Sequence, residues 1–349
     1  MNKQLSKRAI LEKDIVKKVN NTIKKYEMIQ NGDTIIVGVS GGPDSMALLH
    51  ILWKMQKENH FTLVVAHFNH CIRKEADEET KYVEEFCKSH EILCYIKKQD
   101  VVKYAKEHKI GTEEAGRKLR YAFFEEVAQK QHTKNIKIAT AHQANDNAET
   151  VFMNILRGTG TSGLKGIEPI RDNYYIRPLI YVQRNEIEEY CDREKLFPKL
   201  DSSNKENKYT RNKVRNLLFP FIEQNFDTNI VNACNRMSQI CMEENEYIEN
   251  IAKNELNKIQ ENLGNDELQG KNDVILSLKK FNSEEKVLQK RIIVLAIAKV
   301  LGNSQEIAKI NIEDIVTMCN KAIGNKYIMP NKYIKIKIQD KKIFFEKIK

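Results

Sequence analysis

The segment TIIVGVSGGPDS, Thr34 to Ser45, constrains the chain most, because a short β-branched strand runs without a linker into a glycine pair and then into a helix. An uninterrupted apolar strand of this kind is buried on both faces, which asks for helices on both sides of a parallel sheet. Within the turn each residue has a task. Ser40 begins it, Gly41 and Gly42 let the backbone come close to an anion, and Pro43 takes a first helical position, where its missing N–H costs nothing. The free N–H groups and the positive end of the helix dipole then face phosphate oxygens. Asp44 adds a carboxylate for Mg2+ and Ser45 a hydroxyl for a phosphate. A bare SGG also serves as a plain strand-to-helix turn, so the glycine pair alone leaves both readings open. No Walker A pattern occurs, which argues against kinases and γ-phosphate-hydrolysing NTPases. Gly158 to Gly163 fits GxGxxG, but it follows a helical pattern and not a strand, so it is no dinucleotide fingerprint.

Three more strand-like runs, Phe61 to His67, Ile92 to Lys97 and Ile136 to Thr140, follow with helical patterns between them. They predict an α/β fold over residues 1–215: a doubly wound, mainly parallel sheet with its ligands at the carboxyl ends of the strands. Residues 216–349 read as a second, mainly helical domain ending in short strands. Arg215 to Leu263 is helical in pattern, Leu263 to Asp273 is a linker, and Ser283 to Leu301 and Ile310 to Ala322 are helices. Tyr327 to Met329, Tyr333 to Gln339 and Lys342 to Glu346 alternate like strands. A chain of 349 residues that is 41% hydrophobic can fill two such cores. Its formal charge of +10 suits a polyanionic partner through counterion release, although AT-rich genomes also produce lysine-rich surfaces. Seven cysteines without a CxxC pair point to a reducing compartment. The charged N-terminus lacks the apolar core of a signal peptide, and no stretch is long enough to cross a bilayer, so a cytoplasmic protein without a membrane partner is expected.

Four further segments carry polar side chains in a fixed order. AHFNHCIR (Ala66 to Arg73) ends a strand in His67, Asn69, His70 and Arg73, and EAGRKLRY (Glu114 to Tyr121) sets Arg117 and Arg120 within one helical turn. TAHQANDNAET (Thr140 to Thr150) leads a strand end into a helix with His142, Asp146 and Glu149, and DSSNKENKYTRNKVR (Asp201 to Arg215) places Arg211 and Arg215 one turn apart. Together with SGGPDS these segments resemble the PP-loop ATP pyrophosphatases, and among them the tRNA(Ile)-lysidine synthetases. They match that family's HxNHxxR and DxSNxxxxxxRNxxR patterns and resemble its EAxARxxRY helix and its AHHxDDQAET motif, in order over roughly residues 30–220. Three positions depart: Gln143 stands for the second His, Asn145 for the first Asp and Asn147 for the Gln, so a role that needs two adjacent carboxylates does not carry over.

The resemblance implies an ATP-dependent ligase that joins free L-lysine to C2 of the wobble cytidine of a CAU-anticodon tRNA(Ile), releasing AMP and pyrophosphate. It assigns ATP binding to Ser40, Gly41, Gly42, Pro43, Asp44, Ser45, His67 and His142. Catalysis falls to Asp44, Arg117 and Asp146, with Arg117 neutralising phosphate charge as pyrophosphate leaves and Mg2+ held by Asp44 and Asp146. Contacts to tRNA fall to Arg157, Lys165, Arg211 and Arg215, and the glycine-rich Arg157 to Gly166 is expected to be a mobile lid. A PP-loop tRNA 2-thiolation enzyme is the nearest alternative, and it would call for the CxxC cysteines this chain lacks. A non-catalytic RNA-binding module is the alternative from another class, and its mark would be a decayed phosphate loop. Monomer and homodimer both stay open.

Overall fold

The computed structural model describes residues 15–71, 75–133, 135–199, 209–261, 274–302, 307–321 and 326–348. It divides into two compact units, Met1–Met242 and Glu243–Lys349. In the first, helix α1 (15–25) leads into β1 (Thr34–Val39), α2 (Pro43–Asn59), β2 (Thr62–Asn69), α3 (Glu75–Ser89), β3 (Leu93–Lys98), α4 (Val101–His108), α5 (Thr112–Gln129) and β4 (Ile136–Ala139). Then come α6 (Ala144–Leu156), the single turn α7 (Thr161–Leu164), the two-residue strands β5 (Ile170–Arg171) and β6 (Tyr175–Ile176), α8 (Arg184–Arg193), α9 (Thr210–Lys213), α10 (Phe219–Phe226) and α11 (Ile230–Ile259), whose residues from Glu243 on belong to the second unit. The strand order is β3-β2-β1-β4-β6-β5, parallel throughout except for β5 against β6.

The expected doubly wound sheet is present, and the strand side chains show why. Ile35, Val37, Val39, Leu63 and Val65 point into a core shared with α1, α2, α3 and α8, while Ile36, Val64, Ala66, Phe68 and Ile138 point the other way, into a core shared with α4 and α5. Each Val, Leu, Ile or Phe among them contributes roughly 1.5–3 kcal/mol when fully buried. At Gly38 an added Cβ would lie 2.4 Å from Phe124 Cζ, so only glycine lets α5 close on β1 at this point. The hairpin β5–β6 was not in the pattern, since a two-residue strand carries no periodicity.

Residues 216–242, assigned from sequence to the second domain, belong to the first unit. Val214, Phe219, Val231 and Cys234 share a core with Ala144, Ala148 and Val151 of α6. Between α9 and α10 lies one π-helical turn, Val214–Leu218. Pro220 accounts for it: with no N–H to donate and a ring that crowds the carbonyl four residues back, it favours a widened turn. The second unit pairs β7 (Val274–Ser277), β8 (Tyr327–Asn331), β9 (Ile334–Gln339) and β10 (Lys342–Lys347) antiparallel in the order β7-β10-β9-β8. Helices α12 (Leu278–Asn282), α13 (Lys286–Leu301) and α14 (Lys309–Asn320) supply Phe281, Ile292, Ile297 and Ile315 to a core closed by Ile336, Ile343 and Phe345 of the sheet. Among the described residues, no helix is long and apolar enough to cross a membrane.

Candidate active site

Because β1, β2 and β4 run parallel, their carboxyl ends bring three of the predicted segments to one edge. The glycine loop leaves β1 there. Gly41 has φ +91, which L side chains rarely adopt, and an added Cβ would also press to 3.2 Å on Glu79 Cβ. Helix α2 starts at Gly42 without a side-chain cap, so its first N–H groups are not closed off by the protein. The Ser45 hydroxyl turns inward: it accepts the Ser40 N–H at 3.1 Å and donates to the Gly42 carbonyl at 3.0 Å. Ser45 therefore shapes the loop, while the Asp44 carboxylate beside it is left with a buried, unpartnered Oδ1. Burial first, then the neighbouring Asp146, pushes the Asp44 carboxyl up to about 6. A carboxylate held out of water next to a second carboxylate has the donor chemistry of a Mg2+ site completed by phosphate oxygens.

Helix α6 delivers the second half of the site. Gln143 caps it by accepting the Asn145 N–H at 2.7 Å, and Asp146 Oδ2 returns the bond by accepting the Gln143 N–H at 3.2 Å. Asp146 Oδ1 accepts from Arg215 Nη2 at 3.4 Å. Glu149, one turn on and 1% exposed, is clasped by Arg215 through Nε at 2.5 Å and Nη2 at 2.9 Å, and Arg211 Nε lies 3.0 Å from its Oε2. Arg211 Nη2 also donates to Thr150 Oγ1 at 2.9 Å. Arg211 and Arg215, two of the three arginines predicted to meet tRNA, are thus engaged with α6 and tie the helix 210–226 to the catalytic edge.

The three departures from the family pattern have structural work to do. Gln143 is the cap, Asn145 Oδ1 accepts the Arg184 N–H at the start of α8 at 3.1 Å, and buried Asn147 donates to Asn235 at 2.8 Å and accepts the Ile167 N–H at 2.7 Å. This last bond corrects the expectation of an unpacked lid over 157–166. Asn154 donates to the Gly163 carbonyl at 2.8 Å and Ser238 to the Lys165 carbonyl at 2.7 Å, so the distal half of the segment is a pinned helical turn. Arg157 is exposed on the proximal half, and Lys165 is paired with Glu168 at 2.6 Å.

His67 is buried, with Nδ1 on the Val39 carbonyl and Nε2 on Thr80 Oγ1, each at 2.9 Å. A carbonyl only accepts, so Nδ1 carries the proton; burial lowers the ring's pKa, and His67 serves as a neutral brace for the end of β1. His142 bonds Thr140 Oγ1 at 3.0 Å and is held at about 3 by burial and then by Arg177, Arg120, Arg117 and Arg211 around it. Arg117 is exposed and lies 4.9 Å over the Tyr121 ring. Arg73, Asp201 and Asn204 lie outside the described residues. Sequence reasoning missed Arg177, which follows β6 directly, and also Arg184 and Glu188 on α8. These last two line a cavity of about 400 Å³ with Asn145, Arg215, Phe219 and Glu223. No sequence signal marked Arg177, because the two-residue strand before it carries no periodicity.

Residues 11–222 match the family model of the PP-loop domain. The chain is 45% identical over 318 residues to the tRNA(Ile)-lysidine synthase of Clostridium acetobutylicum, covering 91% of this chain and 67% of that protein. It is 42% identical over 330 residues to the enzyme of the same name from Clostridium tetani, covering 94% and 68%. It spans about two thirds of the length of these relatives. Among solved structures, the U34-tRNA thiolase NcsA from Methanococcus maripaludis superposes with a TM-score of 0.52 at 17% identity, over 68% of this chain and 80% of that one, a likeness of fold alone.

Proposed function

This chain belongs to the tRNA(Ile)-lysidine synthases of the PP-loop family, and we propose from that premise how its residues divide the work. The reaction is the ATP-dependent attachment of lysine to C2 of the wobble cytidine of tRNA(Ile), with AMP and pyrophosphate released. The observation that carries the reading is the conjunction of an uncapped glycine loop with an Asp44 whose Oδ1 is buried without a partner and whose pKa is raised, at the ligand edge of the sheet. The loop N–H groups hold the β and γ phosphates, and the cytidine O2 attacks the α phosphate. Asp44 and Asp146 would hold Mg2+, which would supply positive charge against the phosphate oxygens. Arg117 neutralises the departing pyrophosphate.

Free lysine fits the cavity beside Arg215. Glu188 and Glu223 offer carboxylates to its ammonium groups and Arg184 a guanidinium to its carboxylate, and Glu188 is close enough to act electrostatically on Asp44. The ε-amine must shed its proton before it displaces AMP from C2. Omitting lysine should therefore trap tRNA carrying AMP, detectable with α-labelled ATP. Formation of lysyl-AMP in the absence of tRNA would overturn this order of steps.

A further inference from the structure

We infer that Arg177, with Arg120 and His142 beside it, forms a subsite for one phosphate group of a bound substrate, apart from the glycine loop. Arg177 is 4% exposed, yet among the described residues no Asp or Glu oxygen lies within 4.0 Å of its guanidinium, nor of Arg117 or Arg120. Its Nη1 donates to the Glu168 carbonyl and its Nε is buried with no partner. Burial works against its charge first, Arg171 and Arg117 add to that, and among the described residues the group acting in its favour is the Tyr121 phenol and not a carboxylate. A buried guanidinium without a counter-charge destabilises the fold, and a bound anion removes that cost.

Its position tells where the anion sits. β4 pairs with β6, and the Thr140 N–H donates to the Ile176 carbonyl at 3.0 Å, so Arg177 stands at the same carboxyl edge as His142. That is two strand spacings, about 9–10 Å, from the line of β1 and its glycine loop. His142 stays neutral in this field, so it meets the anion as a hydrogen-bonding ring and adds no further repulsion among the arginines. The phosphate comes either from the RNA backbone next to the target cytidine or from the α position of ATP. This choice of sources rests on the function proposed above; the anion subsite does not.

The test uses the full chain with Arg177→Met and Arg177→Lys. Without ligand, the Met variant should melt at or above the wild type, because an unpaired buried charge is replaced by an apolar chain of similar length. Inorganic phosphate should raise the melting temperature of the wild type more than that of the Met variant, with the Lys variant between them. A Met variant that melts several degrees lower, or equal phosphate shifts in all three proteins, would overturn the subsite. Kinetics then identify the source. A roughly 10–100-fold rise in KM for tRNA, reproduced in the wild type by methylphosphonate links flanking the cytidine, assigns the RNA backbone, whereas the same rise for ATP assigns the α phosphate. A phosphate effect with both kinetic arms flat would count against the proposed substrates and leave the subsite standing.

Discussion

Asp44→Asn should lower the rate of ATP-dependent tRNA modification by roughly 10²–10³-fold or more and at the same time make the ligand-free protein more stable at neutral pH. The folded protein holds the Asp44 proton up to about pH 6, whereas the ordinary value is 3.8. Between these values the folded state binds more protons than the unfolded one. The stability associated with the protonated form is therefore complete below pH 3.8 and is lost as pH rises through about 6. Above that, the fold carries a buried carboxylate beside Asp146, and asparagine keeps the shape without the charge. The gain is on the order of 1–3 kcal/mol, or several degrees in melting temperature for a unit of this size. Calorimetry at pH 4 and pH 8 checks it: the variant should lead at pH 8, and the lead should nearly vanish at pH 4. A variant less stable than wild type at pH 8 would remove the argument that Asp44 is a destabilised ligand held for metal and phosphate. Normal adenylation of tRNA by the variant would remove Asp44 from the chemistry altogether.

The parallel sheet was legible because each strand is a short β-branched run and each face of it is apolar, so Ile35 and Ile36 had to point into two separate cores. The glycine loop was legible for a similar reason: few residues other than glycine tolerate the backbone at Gly41, and the type of residue betrays the conformation. The side-chain partners were not legible. Helical spacing put Arg211 and Arg215 on one face but could not say that α6 covers it, because the contact joins positions about 66 residues apart. Asn147 looked like a weakened family residue until its amide was seen to fasten Asn235 and Ile167. The boundary after residue 215 followed a change of pattern from strand to helix, whereas the core that unites Phe219 and Val231 with α6 ignores that change. Periodicity reports which face of an element is buried, not against what. Lone residues such as Arg177 therefore emerge only when the sheet edge is assembled.

The same long-range contact yields the second large effect. Arg215→Ala should destabilise the first unit by about 3–5 kcal/mol, since Glu149 is 1% exposed and would lose both bonds of a bidentate pair. Burial works against the Arg215 charge, but its bonds to Glu149 outweigh that and hold the guanidinium more firmly protonated than usual. Arg211 compensates only in part. Its side chain is 37% exposed and it reaches a single Glu149 oxygen, so Arg211→Ala should cost clearly less. Urea unfolding of the two variants gives the comparison directly, and a double variant separates charge from packing. In Arg215→Met with Glu149→Gln neither buried charge remains, so much of the lost stability should return even though both native side chains are gone. Adenylation should not return with it, because Arg215 also donates to Asp146 and lines the cavity proposed for lysine. If Arg215→Ala instead left the unfolding midpoint unchanged and weakened only tRNA binding, the arginine would be a surface contact, and the clasp around Glu149 would not be what fastens helix 210–226 to the catalytic edge.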